Sequence, residues 1–157
     1  MQNTTSPTIR NLEAAFAGES MAHIKYLWFA RQCRKAGDEA TARVFEATAA
    51  QEMLHAFGHA ELLFSDETLT PAKCLQYAIE GETHEYTEMY PTFRHEAMVE
   101  GNTAAVAEMD EQLAESKEHA DMFKSVLDKA AKRFAALTRV EEKHARHYQA
   151  QKDAIAA

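Results

Sequence analysis

The stretch from Thr103 to Gln151 constrains the fold of this chain more than any other part of the sequence. It contains no glycine and no proline. One stripe of mostly apolar positions runs through it at alternating steps of three and four residues: Val106, Met109, Leu113, Ser116, Ala120, Phe123, Leu127, Ala130, Phe134, Leu137, Glu141, His144, Tyr148. That period is typical of a helix with one buried face. The stretch predicts one helix of about 45–50 residues, ~70 Å long.

The rest of the chain predicts three more helices, so the fold class is all-α. Only 5 glycines and 3 prolines interrupt the 157 residues, which favours long helices over strands. The helices are expected at about residues 8–35, 38–64 and 71–100, ahead of the long one at 103–151. A polar connector from Ser65 to Pro71 separates the second and third helices, and Pro91 is expected to kink the third. A chain of this length predicts a single domain, residues 1–157.

Every predicted helix carries carboxylates within its inward-facing stripe. These are Glu19, Glu52, Glu82, Glu85 and Glu141. Two stripes add a histidine three residues later, in the ExxH units Glu52–His55 and Glu141–His144. A purely structural helix would have leucine or alanine at such positions, because an unpaired buried carboxylate is costly. Gly18 and Gly81 directly precede two of the carboxylates, and glycine inside a helix predicts a close approach there.

Two ExxH helices and a carboxylate from each of two others form the ligand set of a dimetal site in a four-helix bundle. Carboxylates can bridge two ions, whereas imidazole nitrogens bind terminally and favour transition metals over magnesium or calcium. A single ExxH unit is weak evidence, because a solvated helix face or a hydrogen-bonded core histidine explains it more simply, so the prediction depends on all four stripes together. We expect two iron ions, with manganese or mixed occupancy as the alternative.

Three segments also resemble a known family. They are Asn11–Ala22, Gln51–His59 and Gly81–Pro91, and the pattern recurs at Phe134–Tyr148. They resemble rubrerythrins, and the short, sulerythrin-like forms most closely. The resemblance spans nearly the whole chain. It implies a ferritin-like four-helix bundle and a non-haem diiron peroxidase that reduces hydrogen peroxide to water with electrons from an external donor.

The resemblance also implies roles for individual residues. The metal ligands would be Glu19, Glu52, His55, Glu82, Glu85, Glu141 and His144. In the family, the second iron moves between a carboxylate and a histidine with redox state, and Glu85 and His55 match those two positions. Tyr26 and Tyr90 match tyrosines beside the ligands. We therefore expect Glu85, His55, Tyr26 and Tyr90 to take part in catalysis.

The chain departs from the family pattern in two ways. It contains no CxxC pair, so we expect the rubredoxin domain of full-length rubrerythrins to be absent and a separate rubredoxin-like carrier to supply electrons. The fourth helix is also too long. The usual position of the last ExxH falls near Ser116 to His119, whereas the intact unit comes 25 residues later.

Two placements of the fourth helix therefore remain open. Either Glu115, Glu118 or His119 completes the site in the usual hairpin, or Glu141 and His144 do. The stripe favours Glu141 and His144, which occupy core positions. The extra residues lengthen the helix by ~37 Å. The simplest geometry is then a domain-swapped homodimer, in which the long helix completes a bundle of the partner.

Charge and cysteine usage limit the partners and the compartment. The formal charge of −8 argues against nucleic acid or an anionic membrane surface as a partner. Cys33 and Cys74 indicate no disulfide framework, which suits a reducing cytoplasm. The N-terminus lacks an apolar signal region and the chain lacks a membrane-spanning run, so we expect a cytoplasmic protein.

Two other functions compete with the peroxidase. One is a ferroxidase or oxidase that uses oxygen, or a protein that buffers iron. The other is a non-catalytic helical interaction protein whose carboxylates are structural or hold a non-redox metal.

Overall fold

The computed structural model describes residues 6–64 and 69–155 of the chain. The regular elements in these ranges are helical: α1 Pro7–Lys35, α2 Glu39–Leu63, α3 Pro71–His84, a π-helix Glu85–Met89, α4 Tyr90–Glu100 and α5 Thr103–Ile155. This confirms the all-α prediction. Residues 65–68 of the predicted connector lie outside the described residues. None of the described helices is long and apolar enough to cross a bilayer.

Helices α1, α2 and α3 each begin where a side chain caps an N–H group that the helix start leaves without a backbone partner. The hydroxyl of Ser6 accepts a hydrogen bond from the Ile9 amide at 3.2 Å, and that of Thr70 accepts one from the Lys73 amide at 3.2 Å. The Asp38 carboxylate accepts one from the Thr41 amide at 3.0 Å. Hydrogen bonding to Thr41 also lowers the pKa of Asp38. These caps fix the starts of α1, α2 and α3 locally.

The first compact unit, Met1–Leu69, is a hairpin of α1 packed against α2. Alanines form its fully buried contacts, and this allows the two backbones to approach closely: Ala30, Ala42 and Ala49. Tyr26, Phe29 and Phe45 form an aromatic cluster with ring centroids 5.5 to 6.4 Å apart. The His23 ring donates its Nδ1–H to the Ala49 carbonyl at 2.8 Å, which ties α1 directly to α2.

The second compact unit, Thr70–Ala157, packs α3, the π-helix and α4 against α5. The irregularity expected from Pro91 takes the form of the π-helix just before it, where the Tyr90 amide bonds the Glu85 carbonyl five residues back. Gly101, with φ +72°, ends α4 in the left-handed conformation. Arg94 then ties α4 to α5 through Asp110, with Nη2 to Oδ2 at 3.1 Å.

The distal half of α5 is exposed over a long distance. The helix has 53 residues, or ~80 Å at 1.5 Å per residue, which confirms the overlong fourth helix and extends it to Ile155. Every residue from 131 to 155 is exposed. The apolar stripe continues through this segment, with Phe134 70% and Tyr148 69% exposed. This half of α5 therefore presents an apolar face to solvent within its own unit.

Alanine substitutions at two glycines should change the free energy of unfolding in opposite directions. Gly101→Ala should lower the free energy of unfolding by about 1 kcal/mol, because an alanine side chain disfavours positive φ. Gly58→Ala, inside α2, should raise it by about 0.5–1 kcal/mol, because an added Cβ there meets nothing within 4 Å. Urea unfolding followed by circular dichroism measures both changes in the free energy of unfolding. Changes of the same sign in the two variants would contradict these expectations.

A Cβ at Gly18 or Gly81 likewise meets nothing within 4 Å, so the close approach expected at these glycines is not found among the described residues.

Candidate metal centre

The α1–α2 hairpin brings together three of the residues predicted to bind metal. Glu19, Glu52 and His55 each offer one ligand atom, and these atoms lie within 4.8 Å of one another. Glu52 and His55 occupy one turn of α2, with His55 Nδ1 2.8 Å from Glu52 Oε2. Glu52 is largely covered, with 16% of its side chain exposed, whereas His55 is 59% exposed. The helical period thus places all three on one face of the hairpin.

The chemistry of this donor set fits a transition metal ion. Two half-buried carboxylates that approach each other repel unless a proton or a cation lies between them. Carboxylate oxygens and an imidazole nitrogen together suit iron or manganese better than calcium or magnesium. The group supplies three ligands from two helices, so further ligands from other helices would be needed to hold two ions.

In the second unit, the predicted ligands Glu82 and Glu85 each contact a residue of α5. Glu82 Oε1 lies 3.4 Å from His119 Nδ1, and its side chain is 21% exposed. The Ser116 hydroxyl donates a hydrogen bond to Glu85 Oε2 at 2.8 Å. Because α5 runs antiparallel to α3, the pair Ser116 and His119 faces the pair Glu85 and Glu82. Glu85 is also the first residue of the π-helix.

The two predicted tyrosines lie in different surroundings. Tyr26 is half-buried within the aromatic cluster of the first unit. Tyr90 is half-buried directly after the π-helix. Burial raises the pKa of the Tyr90 phenol, and the negative charges of Glu85, Glu108 and Glu82 raise it further. Tyr90 therefore keeps its proton at neutral pH and can donate a hydrogen bond.

Glu141 and His144 lie on the exposed distal half of α5. Their side chains are 75% and 58% exposed, and Glu141 Oε2 is 4.0 Å from His144 Nδ1. Of the competing residues, Glu115 and Glu118 are exposed, whereas His119 contacts Glu82. Which of these residues completes the site stays a prediction.

Ser116, which donates a hydrogen bond to Glu85, had no role in the sequence predictions. It lies on the α5 stripe three residues before His119, so Ser116–His119 repeats the ExxH spacing with serine in place of glutamate. That substitution is the signal that could have identified it. The π-helix that carries Glu85 had no comparable signal beyond Pro91.

Comparison with known proteins identifies the family to which most of the chain is similar. The family model for rubrerythrin matches residues 10–127, a range that includes His119 and ends before Glu141. Nigerythrin of Nitratidesulfovibrio vulgaris is 41% identical over 112 residues, which cover 63% of this chain and 55% of nigerythrin. Rubrerythrin-2 of Clostridium acetobutylicum is 31% identical over 131 residues, which cover 76% of this chain and 71% of that protein.

Solved structures of nigerythrin match as well. The structure of its fully reduced, all-ferrous state is 32% identical and covers 83% of this chain and 70% of that one, with a TM-score of 0.40. The family assignment therefore rests on the sequence matches, and the chain spans about half the length of nigerythrin. The chain belongs to the rubrerythrin family of ferritin-like, non-haem iron proteins.

Proposed function

We propose that this chain is a non-haem diiron peroxidase that reduces hydrogen peroxide to water with electrons from an external donor. The observation that carries the proposal is the convergence of Glu19, Glu52 and His55 in a chain of the rubrerythrin family. The related proteins named above support a centre of this type. The oxidant, the donor and the number of ions are our proposals.

Two iron ions would be held by carboxylates and histidines from all the main helices. The proposed ligands are Glu19, Glu52, His55, Glu82 and Glu85, completed by Glu141 and His144. When bound, the two ferrous ions supply the two electrons that, with two protons, convert one hydrogen peroxide into two waters.

The side chains would orient ligands and supply hydrogen bonds. Glu52 accepts the hydrogen bond from His55 when Nδ1 carries the proton, and this fixes the orientation of the imidazole ring. The protonated Tyr90 phenol can donate to a peroxide oxygen, and its raised pKa keeps it in that form. Tyr26, packed on Phe45, would close the apolar side of the same centre. Glu85 lies on π-helical backbone, a feature frequent at functional sites.

We propose that Glu141 and His144 reach the centre of a second copy of this chain, in a domain-swapped homodimer. The exposed stripe around them supports this, because a continuous apolar helix face is normally covered. Charge supports it too. Residues 129–155 carry seven Lys or Arg against three Asp or Glu, whereas the whole chain has a charge of −8. A basic helix is thus attracted to the acidic remainder of a second copy.

The competing ligand from α5 is His119, which its contact with Glu82 supports. We propose a rubredoxin-like carrier as the electron donor. The cytoplasmic location stays a prediction.

The oxidant can be tested by mixing anaerobic, ferrous-loaded protein with equal concentrations of peroxide or oxygen in a stopped-flow instrument. We expect oxidation by peroxide to be faster by at least about tenfold, a barrier difference of ~1.4 kcal/mol. Faster oxidation by oxygen would instead indicate a ferroxidase or oxidase. Protein purified from iron-replete cells without any redox-active metal would indicate a non-catalytic helical protein.

A further inference from the structure

Ser116 is a polar residue in a place where α5 otherwise buries alanine. Ser116 is only 4% exposed. Among the described residues, it is the buried residue with a polar side chain. Ala120, one turn further along α5, is fully buried. A buried hydroxyl without a hydrogen-bond partner costs free energy, so this position requires a partner for the serine.

The partner of this hydroxyl is a proposed metal ligand. Ser116 Oγ lies 2.8 Å from Glu85 Oε2, and since a carboxylate only accepts, the serine donates. A hydrogen bond to an ionised carboxylate is stronger than one between neutral groups. It engages one oxygen of Glu85 and leaves the other oxygen available.

The position of Ser116 on α5 is that of a carboxylate in the two intact ExxH units. Ser116 precedes His119 by three residues, as Glu52 precedes His55 and Glu141 precedes His144. The serine side chain is shorter than glutamate by two atoms along its chain and carries no charge. It therefore cannot act as a glutamate would, but it can hold the carboxylate that faces it.

The backbone at Glu85 is irregular, so a hydrogen bond that holds its carboxylate in place is useful. Glu85 begins the π-helix, where the regular bonding between residues four apart gives way to the bond from the Tyr90 amide to the Glu85 carbonyl. Groups that hold a ligand from outside the metal sphere fix its orientation and tune metal affinity. Ser116, on the regular and well-packed α5, can serve as that fixed point.

We propose that Ser116 is a positioning residue that orients the Glu85 carboxylate for metal binding, and that it does not bind metal itself. This inference rests on the proposed function only in taking Glu85 as a ligand. It applies whether His119 or His144 supplies the histidine of α5.

The test uses Co²⁺ as a spectroscopic probe of the full-length chain. Ser116→Ala should weaken binding of one Co²⁺ per chain by about tenfold, the lower end of what loss of such an outer partner costs. It should also change the visible absorption bands of the bound ion. Ser116→Thr, which keeps the hydroxyl, should bind and absorb like the parent. Ser125→Ala, an exposed serine on the same helix, is the matched control and should change neither.

Each result decides the inference. Parent-like Co²⁺ binding in Ser116→Ala, or equal losses in folded Ser116→Ala and Ser116→Thr, would overturn it. If circular dichroism shows that Ser116→Thr is misfolded, Ser116→Ala is made in the Glu85→Gln variant. No further loss of Co²⁺ affinity in this double variant supports the inference, and a further loss overturns it.

The proposed function can fail separately. A parent chain that shows the expected Co²⁺ effects but no peroxide reduction would sink the peroxidase and leave the role of Ser116 standing. Rapid peroxide reduction by the parent, together with parent-like Co²⁺ binding in Ser116→Ala, would support the peroxidase and overturn the role of Ser116. A parent that binds no Co²⁺ would overturn both.

Discussion

Replacing Glu52 with glutamine should remove most of the bound iron and nearly all peroxide-dependent oxidation. Glu52 offers a ligand atom within 4.8 Å of those of Glu19 and His55, and its side chain is 16% exposed against 59% for His55. Losing a partner outside the metal sphere costs about 10–100-fold in affinity, so losing a ligand should cost at least the upper figure. Metal analysis should find less than about half an iron per chain, and stopped-flow absorption should find oxidation slowed by about 100-fold or more.

The matched control is Glu61→Gln, the same change at an exposed position nine residues along α2. It removes one negative charge from the same helix, so it separates a ligand effect from a general loss of cation attraction. We expect parent-like iron content and rate. A Glu52→Gln chain that keeps two irons would show that the α1–α2 group is not part of the centre.

Replacing each of the two α5 histidines separately with alanine should show which of them completes the metal centre. If Glu141 and His144 complete a centre in a second copy, His144→Ala should lose iron by about the same margin as Glu52→Gln, and His119→Ala should keep it. The parent should also sediment as a dimer. Both histidines are about half exposed or more, so alanine at either position should not disturb folding.

The reverse pattern, iron lost in His119→Ala and kept in His144→Ala, would reject the second-copy ligand. It would assign α5 to the usual hairpin, in which His119 already contacts Glu82. Equal losses in the two variants would contradict a centre that uses only one of these histidines.

Most of the fold could be predicted because local chemistry decides it. Ser6, Asp38 and Thr70 cap helix starts with their own side chains, and Gly101 ends α4 with a positive φ. The stripe of α5, which neither glycine nor proline interrupts, is recognisable as helical from the sequence alone. The lengths of the helices were therefore recovered to within a few residues. The division of the chain into two compact units was not predicted, and the single domain stays a prediction.

The structure brings predicted site residues together where one hairpin determines their placement. The 3.6-residue period puts Glu52 and His55 on one face of α2, and packing of α1 then brings Glu19 to them. The contact from Ser116 to Glu85 was missed because a serine within an apolar stripe does not reveal its partner. The π-helix was missed because proline usually indicates a kink and does not specify how the backbone accommodates it.

The use of the distal half of α5 depends on contacts that a single chain does not determine. Its exposed stripe, its basic charge and its intact ExxH unit are the reasons for proposing that a second copy covers it. The periodicity of one helix cannot specify which surface covers it.

Mössbauer spectroscopy of the chain loaded with iron-57, before and after one equivalent of hydrogen peroxide, is the most direct test of the proposed diiron peroxidase. We predict two high-spin ferrous ions per site that both become ferric and magnetically coupled, because one peroxide takes one electron from each. Iron that stays ferrous, or that oxidises as isolated single ions, would contradict a peroxide-reducing diiron centre built on Glu19, Glu52 and His55.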